Sequence, residues 1–156
     1  ERISFPPRHS AELGAALYES AMRRIGLVAH DQMKPGIITW AGRYEAFLRE
    51  QMLYATGTTG RLLRESYPAL DITLLKSGPH GGDQQLGALI AEGKLDGLIF
   101  FSDPLSAMPH DVDVKALLRL STLYNIPIAC NEATADMIMA AWGSAPILRK
   151  STRVRA

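Results

Sequence analysis

From Arg24 onward, short apolar runs alternate with longer segments of helical period, and that alternation confines the chain to a small set of folds. The most restrictive run is Leu95 to Phe101, in which Leu98, Ile99, Phe100 and Phe101 follow one another without a polar side for water. A strand of that kind is buried on both faces, which requires a parallel sheet covered by helices. The expected architecture is therefore α/β, a three-layer α/β/α sandwich around a mostly parallel sheet of roughly five strands. Strands are expected at Ile25 to Ala29, Met52 to Thr56, Ile72 to Lys76, Leu95 to Phe101 and Ile126 to Asn131. Helices are expected near Pro35 to Glu50, Arg61 to Ser66, Asp83 to Glu92, Asp113 to Leu123 and Ala133 to Trp142. Pro35 suits a first helical turn, and Pro68 stops the helix before it. In the helix from Asp113, the spacing of Val114, Leu117, Leu118 and Ser121 turns one stripe toward the sheet, with Lys115 and Arg119 outward.

A chain of 156 residues, 47% apolar and 21% charged, has room for one core. Residues 25–156 are expected to form that domain, with residues 1–24 as an extension. Within the extension, Ser10 to Arg24 reads as a helix: Ser10 caps it, Glu12 stands in its first turn, Leu13, Leu17 and Met22 share a face, and arginines close it. The formal net charge of +1 provides no field for a polyanion, so nucleic acid is not an expected partner. The basic run Arg149 to Arg155 reads as a solvated end that is also suited to touching a neighbouring subunit. Cys130 is the only cysteine, which excludes an internal disulfide and a cysteine-based metal cluster. Its apolar setting reads as a buried strand, and its solitude fits a reducing cytoplasm. No apolar stretch approaches the ~20 residues of a membrane span, the opening residues lack a secretory pattern, and no metal-ligand spacing occurs. A cytoplasmic protein without membrane contact or a metal site is expected.

Right-handed crossovers bring every strand-to-helix turn to one edge of such a sheet, beyond the carboxyl ends of its strands, where ligands bind. The unusual polar residues fall in those turns: His30, Asp31 and Lys34; Thr56 to Gly60; Ser77 to Asp83; and Asp103 to Asp113. Thr56-Gly57-Thr58-Thr59-Gly60 has the makings of a phosphate cradle, because glycines let backbone N–H groups approach an anion and hydroxyls add donors. The same composition also caps helices for structural reasons alone. Lys34 has the compact charge to receive a phosphate leaving group, or it is a solvated lysine at a helix start. Asp83, between Gly81-Gly82 and an apolar-periodic segment, is either a helix cap or an acid acting beside a bound anion. His110, near Asp111 and Asp113, is able to donate to a carbonyl oxygen or shuttle protons.

In chain order, Val28-Ala29-His30-Asp31, Tyr54 to Gly60, Ser77-Gly78-Pro79-His80-Gly81-Gly82-Asp83-Gln84-Gln85, Phe100 to Leu105, Pro109 to Arg119 and Asn131 to Asp136 resemble the methylglyoxal synthase family. The resemblance covers roughly Ile25 to Ile138. It implies a Rossmann-like sheet and a lyase that converts dihydroxyacetone phosphate to methylglyoxal and inorganic phosphate without a cofactor. By the family's pattern Asp83 is the general base, and His110 and Asp113 assist at the carbonyl and hydroxyl oxygens. Lys34, Thr56, Gly57, Thr58, Thr59, Ser77 and Gly78 would hold the phosphate, with His30 and Asp31 lining the site and Asp103 orienting others. The resemblance also implies a homohexamer inhibited by phosphate. Departures from the pattern are His80 where an apolar residue is usual, the amino-terminal extension, and the segment after Trp142.

A related fold serves as the regulatory ligand-binding domain of carbamoyl-phosphate synthetase, which keeps a phosphate cradle but loses the acid. The joint presence of Asp83, His110 and Asp113 favours the enzyme.

Overall fold

The computed structural model describes residues 22–106 and 111–143. Strands β1 (Arg24–Ala29), β2 (Met52–Thr56), β3 (Ile72–Leu75), β4 (Gly97–Phe101) and β5 (Ile128–Ala129) form one sheet in the order β3-β2-β1-β4-β5. Every pairing is parallel, with Leu27 opposite both Ala55 and Ile99 in the central register. The helices are α1 (Lys34–Arg43), α2 (Glu45–Leu48), α3 (Gly57–Ser66), α4 (Gly82–Ala91), α5 (Asp111–Leu123) and α6 (Glu132–Ala141). Among the described residues no helix is long and apolar enough to cross a membrane.

Alternation along the strands divides the core into two. Ile25, Leu27 and Ala29 of β1, with Ile99 and Phe101 of β4, pack against Ile37, Trp40, Leu63 and Met139 on the α1, α3 and α6 side. Val28, Leu98 and Phe100 face the other way, onto Leu86 and Ile90 of α4 and Leu117 of α5. β4 is buried at every position, as its unbroken apolar run requires. The strand order reverses between β1 and β4, so their carboxyl ends diverge and leave a crevice.

Several boundaries differ from expectation for tertiary reasons. The Pro35 to Glu50 helix divides at Tyr44, whose buried ring sends its hydroxyl 2.7 Å to Asp136 of α6. Helix α3 starts at Gly57 rather than Arg61, so most of the threonine-glycine turn is helix. Leu118 is exposed, and the inward stripe of α5 runs through Val114, Leu117 and Ser121, with Leu120 packed beside it. The last strand is reduced to Ile128–Ala129, and Cys130 beyond it is only half-buried, although burial still pushes its thiol up. Arg24 belongs to β1, and the rest of the expected Ser10 to Arg24 helix lies outside the described residues apart from Met22 and Arg23, which are not helical.

Candidate active site

Asp83 owes its position to the backbone before it. Ser77 N-terminally flanks a single 3-10 turn, Gly78–His80, which is closed by Gly81 at φ 105°, a conformation that favours glycine. Gly81 is also the N-cap of α4, so Asp83 is the second residue of the helix rather than its cap. The cap position open to this aspartate in the sequence is therefore taken by Gly81. Gly82 seals the corner: a Cβ there would meet the Lys76 carbonyl oxygen at 2.0 Å. Its N–H donates to the Ser77 carbonyl at 2.9 Å. The Asp83 carboxyl, in a residue only 4% exposed, faces the bare edge of Gly78, where a Cβ would stand 3.4 Å from each carboxylate oxygen.

The threonine turn faces this acid across a close backbone contact. Any side chain at Gly57 would press on Ser77, with a Cβ 2.7 Å from its Cα, and the Gly57 N–H donates to the Lys76 carbonyl at 3.2 Å. Thr56 and Thr59 are buried and Thr58 is exposed. The Thr59 hydroxyl donates to the Ala29 carbonyl at 3.4 Å, and the Lys34 ammonium donates to the same oxygen at 3.1 Å. Lys34 also pairs with Asp31, which stands in solvent while the lysine side chain is largely covered. The Ser77 hydroxyl and His80 Nδ1 lie 2.7 Å apart, so His80, the unusual residue of this run, holds the serine from outside the cavity.

His30 leaves β1 at the crevice. Its Nδ1 accepts the Asp103 backbone N–H at 2.8 Å, and its ring meets Phe100 edge-on with centroids 5.0 Å apart. The Asp103 carboxylate in turn accepts from the Ser106 hydroxyl at 2.6 Å and the Leu105 N–H at 2.9 Å. These bonds, the Ser106 one foremost, hold its carboxyl below the usual aspartate range.

One cavity of about 120 Å³ gathers His30, Asp31, Lys34, Thr56, Thr58, Thr59, Ser77, Gly78 and Asp83, walled by Val28, Ala29, Pro79 and Phe100. Gly57 is not in its lining and acts through its contact with Ser77. Asp113 stands apart from this cavity. It faces a more apolar groove of about 310 Å³ between α4 and α5, where it accepts from Gln84 Nε2 at 2.9 Å. Asp83 lines both spaces. His110 lies outside the described residues. Sequence reasoning missed the Ala29 carbonyl and Gln84; the first carries no side-chain signal, whereas the second was visible as the residue after Asp83.

Residues 36–130 match the MGS-like domain. The methylglyoxal synthase of Pseudoalteromonas atlantica is 59% identical over 117 residues, 75% of this chain and 86% of the relative. The chain belongs to the methylglyoxal synthase family. The methylglyoxal synthase of Pectobacterium atrosepticum is 56% identical over 119 residues, covering 76% of this chain and 78% of that one. A crystal structure of methylglyoxal synthase from Elizabethkingia anophelis superposes with a TM-score of 0.72 at 46% identity, over 76% of this chain and 78% of the other. Family membership accounts for the five-stranded parallel sheet and for the ordered motifs in its turns.

Proposed function

We propose that Asp83 is the general base of a phosphate elimination in which dihydroxyacetone phosphate becomes methylglyoxal and inorganic phosphate. The chain is a lyase of the methylglyoxal synthase type, as its relatives at 59% and 56% identity are. The observation that carries the assignment to Asp83 is its burial in the same cavity as Lys34, Thr56, Thr58, Thr59, Ser77 and Gly78. That arrangement suits a phosphate held beside a carbon acid.

In this reading Asp83 takes a proton from the carbon next to the carbonyl, and the electron pair passes into an enediolate. Donors already aimed at the developing oxyanion lower the barrier without reorganising. His30 would help there, as would His110 at the carbonyl and hydroxyl oxygens, whereas Asp113, which faces the neighbouring groove, would act through its bond to Gln84 beside Asp83. The carbon–oxygen bond to phosphate then breaks, and the resulting enol becomes the dicarbonyl. Elimination is fast when that bond stands perpendicular to the enediolate plane, so a cradle that fixes the torsion contributes catalysis as well as affinity. Lys34 and the threonine hydroxyls receive the departing dianion, which makes inorganic phosphate an inhibitor as well as a product. Residues 25–156 act as one domain, working in the cytoplasm as a homohexamer.

The purified chain with dihydroxyacetone phosphate tests the reading. Phosphate and a dicarbonyl should appear in equal amounts. Aldose phosphate instead would indicate an isomerase, and binding without turnover would indicate a regulatory module.

A further inference from the structure

We infer that the turn from Asp103 to Ser106 is a positioning device that fixes the tautomer of His30. A neutral imidazole carries one proton, and the nitrogen that accepts a hydrogen bond cannot also hold it. Nδ1 accepts from the Asp103 N–H at 2.8 Å, so the ring proton belongs on Nε2. With His30 lining the cavity, that assignment makes the histidine a donor toward a substrate oxygen. The Phe100 edge contact, at an interplanar angle of 88°, limits rotation of the ring.

The donor that sets the tautomer is a backbone group, so its aim depends on the turn that carries it. Asp103 spends both carboxylate oxygens within that turn: Oδ1 on the Leu105 N–H at 2.9 Å and Oδ2 on the Ser106 hydroxyl at 2.6 Å. The carboxylate therefore acts as a fastener for the loop after β4, not as a second base. Ser106 is exposed and does not line the cavity, so among the described residues it reaches the site through Asp103 and His30. This inference rests on the reading of the cavity as the substrate site, and its first readout needs no turnover.

Nitrogen-15 NMR of the imidazole in the full chain should give wild-type His30 the pattern of an Nε2–H ring. In Ser106→Ala the two ring-nitrogen shifts should move toward each other as the Nδ1–H form becomes populated. kcat/KM for dihydroxyacetone phosphate should fall about fivefold, the scale of one weakened neutral hydrogen bond. Ser106→Thr, which keeps the hydroxyl, should restore both readouts. A wild-type ring protonated on Nδ1, or a Ser106→Ala protein with unchanged ring shifts, would overturn the inference. Failure of the wild-type protein to release phosphate would instead count against the substrate reading, leaving the tautomer result standing.

Discussion

The cradle side of Asp83 and its α5 side are built from different materials. Toward the cradle, the structure depends on backbone lying against backbone, Gly57 on Ser77 and Gly82 on the Lys76 carbonyl, to which the Thr59 and Lys34 side chains add bonds to the Ala29 carbonyl. Toward α5, it depends on side chains, with Gln84 reaching Asp113 and Gly87 facing the end of Leu120. Backbone contacts have no rotamers through which to escape, so the first side is stiff, whereas the second can adjust. A phosphate group of fixed shape belongs on the stiff side.

The widest gap between the two sides should appear at the acid they share. Asp83→Asn keeps the shape but cannot accept a proton, so kcat is expected to fall about a thousandfold, within the range for removing a general base. Inorganic phosphate affinity, measured by calorimetry, should stay near wild type, because the amide keeps the shape of the cavity and leaves the cradle's donors in place. Substantial turnover by that variant would break the assignment.

Next comes Gly82→Ala, whose Cβ would meet backbone at 2.0 Å and leave no room to shift. A loss of about 3 kcal/mol in urea denaturation is expected, near the upper end for overpacking. Lys34→Ala should weaken phosphate binding by about tenfold, the scale of one charge-assisted hydrogen bond. An unchanged phosphate inhibition constant would remove Lys34 from the cradle.

Gly87→Ala is the matched control on the adjustable side. Its Cβ would stand 3.1 Å from Leu120 Cδ1, a side-chain end able to move, and alanine recovers about 1 kcal/mol of helix propensity. Its unfolding midpoint should stay close to wild type, and a loss as large as that of Gly82→Ala would erase the contrast between the two sides.

The smallest effect concerns acid pH. Because folding lowers the Asp103 pKa, its carboxylate contributes stability above the pKa of the unfolded chain and loses it as pH falls through the lower, folded value. Removing the largest cause with Ser106→Ala should raise the Asp103 midpoint in a carbon-13 titration toward the ordinary aspartate value. An unmoved midpoint would mean that Ser106 does not restrain the turn.

Much of this was readable from residue order because parallel sheets leave strong marks. The run Leu98 to Phe101 announced a strand buried on both faces, and topology then sent Lys34, the threonines and Asp83 to one edge. The role of Gly57 was less visible, because a glycine needed for flexibility and one needed for close approach look alike in sequence. The separation of Asp113 from the cavity was also hidden, since membership of a turn does not say which of two neighbouring spaces a side chain enters.

Sequence alone determined the sheet, the carboxyl edge on which the polar residues collect, and the family, because apolar period and ordered motifs are properties of the chain itself. Tertiary structure decided that Gly57 closes on Ser77, and that Asp103 meets His30 across 73 positions. Those outcomes depend on distances between segments remote in the chain, which are set only when the two cores pack against the twisted sheet.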